Sequence, residues 1–306
     1  FCFSVNNQSK SIKTWGNIMK LTLTALATAV ALSVSAGSVF AQQEPDESIR
    51  AELGAHGFTA KESRITQEGT ENVAKTEQGG TGFADGSYSN VKQTGDSNVS
   101  EVTQEWKTNY SNVMQNGNDN FTRVNQLNRN NFTYSWVGQS DGNENTAEVT
   151  QTNANHSASV IVQSGNENIA TVSQENHAYG GGDITESHVY QTGDLNSATV
   201  TQNNSKDSIS EVFQVGGYNT ANVIQIDSGS SVSNILQNGN DNIANVTQTN
   251  SAYSESIITQ TGDSHLATVN QSGASQISLI TQSTNAAIAT HSQSGGAGNS
   301  ATTLQY

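Results

Sequence analysis

The sequence predicts an all-β fold, a β-solenoid of about ten strand–turn–strand rungs arranged as an amyloid-like cross-β stack. Three observations lead to this prediction. Glutamines recur in pairs along the chain, polar and apolar residues alternate around each glutamine, and a glycine lies between the two glutamines of most pairs. A fixed repeat of this length is typical of stacked coils, and alternation with a period of two is typical of half-buried strands.

The composition is poor in both apolar and charged residues. Of 306 residues, 33% are hydrophobic and 13% are charged, with a formal net charge of -15. Low hydrophobicity alone would fit a disordered chain, but disorder predicts no fixed spacing of residues. The acidity argues against nucleic acid as a partner, because phosphate binding needs clustered Lys and Arg. With Cys2 as the one cysteine, no disulfide framework is expected.

The first 60 residues do not match the repeat, and residues 19–60 are predicted to serve export. From Met19 the chain shows a positive residue, Lys20, then an apolar stretch and a small-residue ending at Ala41, which is the pattern of a secretory signal peptide. That stretch is shorter than the roughly 20 apolar residues of a membrane-spanning helix, so secretion without membrane insertion is expected. The predicted segments are 1–18 upstream or non-native sequence, 19–41 signal peptide, 42–60 N-terminal leader for export, and 61–306 repeats.

The glutamine pairs define the repeat. The first glutamines are Gln67, Gln93, Gln115, Gln139, Gln163, Gln191, Gln214, Gln237, Gln260 and Gln282. The second glutamines are Gln78, Gln104, Gln126, Gln151, Gln174, Gln202, Gln225, Gln248, Gln271 and Gln293. These pairs give ten repeats, and a final half-repeat runs to Gln305.

The copy at residues 157–174 shows the pattern S-x5-Q-x-G-x2-N-x-A-x3-Q in full. Each half is predicted to be a strand whose inward face carries Ser157, Ser159, Ile161 and Gln163, then Asn168, Ala170, Val172 and Gln174. The position two residues before each first glutamine is always Val or Ile, as a half-buried strand prefers. The outward positions are predicted to be mostly Thr, Ser, Asn and charged residues, and therefore solvated.

The turn between the two strands carries a glycine and an asparagine. The glycines are Gly69, Gly95, Gly117, Gly165, Gly193, Gly216, Gly239 and Gly262. The asparagines are Asn72, Asn98, Asn120, Asn145, Asn168, Asn196, Asn219 and Asn242. Rungs stacked about 4.7 to 4.8 Å apart would place Gln over Gln and Asn over Asn, so that buried amides can hydrogen-bond along the stack. Glycine would supply a positive φ at little steric cost.

This pattern resembles the curlin repeat of bacterial curli fibre subunits, over roughly residues 61–306. Five copies carry the complete Gln-Gly-Asn-Ala-Gln set, and five residues depart from the pattern: Ser100, Thr122, Asp141, His265 and Thr284. The resemblance implies a secreted, self-assembling subunit of an extracellular, cell-surface fibre in a biofilm matrix. It also implies a nucleator subunit and an outer-membrane secretion pore as partners.

The sequence offers less support for other functions than for a fibre subunit. The histidines are scattered, and no metal-binding His pair, nucleophile elbow or phosphate-binding loop is present, so neither an enzyme nor a cofactor is expected. Asn-rich turns at residues 116–120 and 238–242 lack the glycine-aspartate period of calcium-binding solenoids. A minor nucleator subunit and a non-polymerising secreted adhesin or ice-binding solenoid stay open as alternatives.

Overall fold

The computed structural model describes residues 61–79, 86–105, 107–127, 131–154, 156–175 and 185–306. The predicted upstream segment, signal peptide and export leader, residues 1–60, lie outside these residues. No helix in the described part of the chain is long and apolar enough to cross a membrane.

The described residues form 21 strands in two parallel sheets, which confirms the predicted β-solenoid of about ten rungs. Sheet A contains β1 (Glu62–Glu68), β3 (Tyr88–Thr94), β5 (Lys107–Asn116), β7 (Asn131–Ser140), β9 (Ser157–Ser164), β11 (Thr185–Thr192), β13 (Ile209–Val215), β15 (Val232–Asn238), β17 (Glu255–Thr261), β19 (Ile277–Gln282) and β21 (Ser300–Gln305). Sheet B contains β2 (Val73–Gly79), β4 (Val99–Glu105), β6 (Phe121–Leu127), β8 (Thr146–Thr152), β10 (Ile169–Glu175), β12 (Ser197–Asn203), β14 (Thr220–Ile226), β16 (Ile243–Thr249), β18 (Leu266–Ser272) and β20 (Ile288–Ser294).

Each rung consists of one strand of sheet A, a short turn, and one strand of sheet B. We call the turn within a rung arc 1, as at residues 165–168, and the connection to the next rung arc 2, as at residues 204–208. Every strand pairs in parallel with the equivalent strand of the neighbouring rung, so Gln163 lies between Gln139 and Gln191. This register places equivalent residues above one another through the whole stack.

The core lies between the two sheets. Each inward position of a strand forms one column of equivalent residues along the stack. Ile161, Ala170 and Val172 each expose 0% of their surface, and their equivalents in the other inner rungs are buried in the same way. Val and Ile at one position and Ala at the facing one fill this narrow interior, because the branched and small side chains complement each other across a short distance. The inward face that the sequence predicts is therefore confirmed.

Both outer faces of the solenoid carry polar and apolar residues. The middle outward column of sheet B is polar from β10 onward, with Thr171, Thr199, Asn222, Asn245, Thr268 and Thr290. Other outward columns are partly apolar: sheet A turns Phe213, Leu236 and Leu279 outward, and sheet B turns Ile243, Leu266 and Ile288 outward. Tyr190 stacks on Phe213 with ring centroids 4.8 Å apart. The prediction of a mostly polar, solvated outer surface holds for the middle column of sheet B from β10 onward, but it misses the apolar residues at other outward positions of both sheets.

Candidate assembly site: amide ladders and turn columns

A continuous ladder of glutamine amides runs through the interior beside each sheet. In sheet A, each Nε2 donates to the Oε1 of the next rung, from Gln67 to Gln305, at 2.7–3.0 Å. In sheet B the same contact runs from Gln78 to Gln293 at 2.8–3.0 Å. The structure thus brings together all twenty paired glutamines as two hydrogen-bonded columns.

Backbone carbonyl groups set the orientation of these amides. Gln163 Nε2 also donates to the carbonyl oxygen of Thr146 at 2.9 Å, across the core in sheet B. Gln174 Nε2 donates to the carbonyl oxygen of Ala158 at 3.1 Å, across the core in sheet A. Because a carbonyl oxygen only accepts, the amide nitrogen must face it, and the oxygen is left to accept from the preceding rung. Each glutamine therefore joins neighbouring rungs and also joins the two sheets.

The asparagine column in arc 1 runs in the opposite direction. Asn168 Nδ2 donates to Asn145 Oδ1 of the preceding rung at 3.1 Å, and to the carbonyl oxygen of Gly193 in the following rung at 2.7 Å. The same contact joins each of the eight asparagines to its neighbour, from Asn72 to Asn242, at 3.0–3.1 Å. All eight predicted asparagines therefore lie in one column, seven of them fully buried.

Two structural features require glycine in arc 1, as Gly165 illustrates. Its φ is +110°, a region that other residues rarely adopt. A Cβ added there would lie 2.1 Å from the carbonyl oxygen of Gly193 in the next rung, so close packing of the turns also excludes a side chain. The eight predicted glycines all have positive φ, between 106° and 138°.

A second, exposed column in arc 1 was not predicted from the sequence. Its members directly follow the glycine position, and the oxygen of each accepts from the backbone N–H of the preceding rung, as Asn166 does for Asn143 at 3.1 Å. Where the residue is an aspartate, the contact affects its charge. The backbone N–H and hydroxyl of Thr70 both donate to Asp96 at 2.7 Å and lower the pKa of that carboxyl group.

Arc 2 carries serine columns that the sequence analysis also missed. Ser205, Ser228 and Ser251 are fully buried, and each Oγ donates to the carbonyl oxygen of the second glutamine one rung later, at 2.7–2.8 Å. Ser208 and Ser231 form a further column that accepts from the backbone N–H of the next rung. Their constant spacing of 23 residues is the signal that could have revealed them. These serine hydroxyls link neighbouring rungs in arc 2, as the asparagine side chains do in arc 1.

Departures from the repeat are accommodated by local hydrogen bonds. His265 replaces asparagine, its Nδ1 accepts from the backbone N–H of Ala287 at 3.2 Å, and its Nε2 lies 3.1 Å from the carbonyl oxygen of Thr261. Thr122 replaces alanine and its hydroxyl donates to Gln139 Oε1 at 2.9 Å. The extra residue Asp141 has a φ of 56°, and Gly142 takes the place of the missing turn glycine.

One inward column of sheet A contains serines without hydrogen-bond partners. The Oγ atoms of Ser111, Ser135, Ser159, Ser187, Ser210, Ser233 and Ser256 are buried and make no hydrogen bond within the described part of the protein. They face the valine column of sheet B. Where that column holds a polar residue, the serine has a partner: Thr76 Oγ1 lies 3.4 Å from Ser89 Oγ, and His291 Nδ1 lies 2.6 Å from Ser278 Oγ.

Among the described residues, no group of three His, Cys, Asp or Glu side chains is placed to hold a metal ion. The prominent arrangement is the set of amide, serine and aliphatic columns, of which the two glutamine ladders run without a break through the described rungs. Such columns can bind one more identical strand at either end, because each rung donates hydrogen bonds to one neighbouring rung and accepts the equivalent hydrogen bonds from the other.

The fold and its columns define a cross-β solenoid, in which identical polar side chains stack in register along two parallel sheets. The family model described as the curlin associated repeat matches residues 142–175, which span β8 to β10. This match confirms the resemblance to the curlin-repeat family over those residues. No curated protein matches the chain at a significant level.

Proposed function

We propose that the chain is a structural subunit of an extracellular, curli-like amyloid fibre that grows by end-to-end stacking of solenoid rungs and contributes to a biofilm matrix and surface adhesion. The observation that carries this proposal is the in-register glutamine ladder, which runs through every described rung from Gln67 to Gln305. A ladder of this kind gains one hydrogen bond for every rung added, whether that rung belongs to the same molecule or to another.

The terminal rungs support growth at the ends of the stack. Within the described residues β1 pairs with β3 and with no other strand, and β21 pairs with β19 alone. Ile65 of β1 is 46% exposed, whereas Ile161 at the same position of an inner rung is 0% exposed. An edge strand with an exposed aliphatic side chain is a template for another strand. A neighbouring subunit would bury this column as an inner rung does.

The energetics of a rung also favour assembly. One rung buries two or three aliphatic side chains, which contribute roughly 1.5 to 3 kcal/mol each. Ordering its backbone costs roughly 1 to 2 kcal/mol per residue. A lone rung therefore does not fold, and each added rung depends on the ladder and the sheet edge that are already in place. This dependence is the physical basis of nucleated growth. A separate nucleator subunit is proposed as a partner from the family resemblance alone.

Polymerisation of the secreted chain tests the proposal. The purified chain, diluted from denaturant, should convert from disordered to β-rich after a lag, and preformed fibres should remove the lag. Electron microscopy should show unbranched filaments at the plateau. A chain that remains monomeric at high concentration and melts cooperatively would contradict the fibre role and favour the alternative of a non-polymerising solenoid.

Export is a separate part of the proposal. We propose that residues 19–41 are removed as a signal peptide, that residues 42–60 direct the chain to an outer-membrane pore, and that the fibre is held at the cell surface. N-terminal sequencing of the secreted chain should find a start near Gln42. Deletion of residues 42–60 should trap the chain inside the cell while leaving polymerisation of the purified chain intact.

The outer face of sheet B supports a second candidate function. Its regular Thr and Asn column from Thr171 to Thr290 offers hydroxyl and amide groups at the strand spacing of about 4.8 Å. A monomeric solenoid could use such an array to bind a periodic surface such as ice or a polysaccharide. A monomer that binds ice or polysaccharide without forming filaments would favour this function.

A further inference from the structure

Two copies of arc 1 have the identical sequence Asn-Gly-Asn-Asp-Asn, at residues 116–120 and 238–242. The first two residues of each copy form an Asn-Gly pair, and the sequence contains no other such pair. Asn116 is the last residue of β5 and Asn238 is the last residue of β15, and both are exposed. The other rungs carry Glu, Thr, Ser or Val at this position. The two exposed amides therefore lie outside the buried ladders.

We infer that the two Asn-Gly pairs are modification sites, which deamidate while the chain is unfolded and are protected once the rungs have stacked. Conversion at either pair excludes the chain from the stack. The pairs thereby limit how long an unassembled chain stays able to polymerise. This effect on growth rests on the proposed fibre, whereas the protection is a property of the fold itself.

The reaction needs only water and base. The backbone nitrogen of Gly117 loses its proton and attacks Cγ of Asn116, so that a new C–N bond forms and Nδ2 takes up a proton and leaves as ammonia. Water then opens the resulting succinimide ring at one of its two carbonyl carbons, which gives aspartate or isoaspartate. Asparagine is a thermolabile residue in general. A following glycine favours the attack, because it has no side chain to hinder it and its backbone is mobile in an unfolded chain.

In the folded chain, hydrogen bonds hold the peptide group between Asn238 and Gly239 on both sides. The Gly239 N–H donates to the carbonyl oxygen of Val215 at 2.9 Å, and the Asn238 carbonyl oxygen accepts from the N–H of Gly262 at 2.9 Å. The Gly117 N–H forms the equivalent bond to its preceding rung at 3.1 Å. Attack on Cγ requires this peptide group to rotate, which breaks its bonds to the neighbouring rungs. Those bonds exist only when the rungs stack, so protection begins with folding.

The stacked turns leave no room for the reaction product. A Cβ added at Gly239 would lie 1.9 Å from the carbonyl oxygen of Gly262 in the next rung. Isoaspartate lengthens the backbone by one methylene directly before Gly239, and so shifts Asn242 of the asparagine column relative to Gln237 of the glutamine ladder. The two hydrogen-bonded columns cannot then both stay in register. Aspartate, the other product, adds a negative charge to a turn that already carries Asp241.

Ageing of the unfolded chain tests the inference. The purified chain is held in denaturant at mildly alkaline pH, and an equal sample is held as fibres in the same buffer. Peptide mapping by mass spectrometry measures conversion at each asparagine, and transfer to buffer measures the fibre yield of the aged chain. The variant Asn116→Thr with Asn238→Thr removes both pairs and introduces a residue that several other rungs carry there. The matched control Asn112→Thr with Asn234→Thr changes two outward asparagines of the same strands that precede Val and Ile.

Asn116 and Asn238 should convert about tenfold or more faster in denaturant than in fibres. Aged wild-type chain and the aged Asn112, Asn234 control should lose fibre yield in step with this conversion, and isoaspartate should be enriched in the chains left in solution. The aged variant without Asn-Gly pairs should keep its yield.

If the fresh threonine variant polymerises poorly, Asn116→Ser with Asn238→Ser gives the same comparison. Equal conversion in fibres and in denaturant, or full yield from a converted chain, would overturn the inference and leave the fibre intact. A fresh wild-type chain that forms no fibre would instead contradict the proposed function. Protection would then be judged by comparing the folded monomer with the chain in denaturant, and equal conversion there would overturn the inference as well.

Discussion

Ser278 Oγ lies 2.6 Å from His291 Nδ1. The equivalent serine hydroxyls of seven other rungs make no hydrogen bond within the described residues. His291 replaces the valine of the inner rungs, as its register with Val269 shows, and its Nε2 lies 2.8 Å from Thr303 Oγ1. A polar residue in the aliphatic column thus joins the last two strands of sheet A through the core. Two of the predictions below depend on this relationship.

The first prediction concerns the serine column. Replacing Ser210, whose hydroxyl is buried without a partner, by alanine should leave fibre stability unchanged or raise it, because an unsatisfied buried hydroxyl costs about 1 to 3 kcal/mol. Ser278→Ala should lower stability, because it removes the partner of His291. The guanidinium concentration that dissolves half of the fibres measures both. Equal effects of the two changes would contradict the assigned contact.

The second prediction concerns acid. Burial lowers the pKa of His291, and between residues 264 and 306 the chain has no Asp, Glu, Lys or Arg to offset a charge on it. The pKa of His291 in the folded protein is therefore below the ordinary histidine value of about 6.5. In that case the folded state keeps its full stability above pH 6.5 and loses stability as the pH falls toward the folded pKa. Fibre stability should therefore drop between pH 7 and pH 5.

The matched variant for this prediction is His291→Val, which restores the residue found in the inner rungs. Its fibres should lose less stability between pH 7 and pH 5 than wild type. Burial raises the pKa of Glu255, so that group acts in the opposite sense and favours the folded state as the pH falls. A wild-type and a His291→Val profile that superimpose would show that His291 does not titrate across folding.

The third prediction concerns the glutamine ladder. Gln163→Ala removes the acceptor of Gln139 Nε2 and the donor to Gln191 Oε1, and leaves both amides buried. Orphaned buried groups cost about 1 to 3 kcal/mol each, so growth should slow several-fold and the fibres should dissolve at lower denaturant concentration. Thr171→Ala, on the outer face of the same rung, is the control. Equal growth rates for the two variants would show that the ladder does not limit assembly.

The fourth prediction concerns the turn glycines. Gly165→Ala should block stacking of its rung, since the new Cβ would lie 2.1 Å from the carbonyl oxygen of Gly193 and the backbone φ is +110°. Gly295→Ala is the matched control, because Gly295 has a φ of 65° and no atom within 4 Å of the added carbon. In the control, the only cost is that of placing alanine in a left-handed backbone conformation, about 1–2 kcal/mol. Seeded growth rates of the two variants measure the difference.

The fifth prediction concerns the aliphatic column. Ile161→Asp places a charge at a position that is 0% exposed between two sheets and should prevent fibre formation at neutral pH. Ile161→Val, which matches the residue in many other rungs, should cost only about 0.5 to 1.5 kcal/mol. The fibre yield from equal concentrations of each variant provides the measurement, and fibres of Ile161→Asp with normal yield would contradict the inward assignment.

The sequence alone was sufficient to predict the strand–turn–strand rungs. Gln163, Gly165, Asn168 and Gln174 recur at constant spacing, and a residue that must stack on its own kind in every rung leaves such a period. The period-two alternation then identified which side chains point inward. Both signals are local, because each follows from strand geometry within one repeat and needs no knowledge of the other sheet.

Only the tertiary structure decided what each column does. The direction of the Gln163 ladder depends on backbone carbonyls across the core, such as that of Thr146, and the direction of the Asn168 ladder depends on turn carbonyls of the next rung, such as that of Gly193. No spacing in the sequence reveals these contacts. The same holds for the unpartnered hydroxyl of Ser210. These features arise because two strands of one repeat join different sheets, and only their stacking shows which side chains meet.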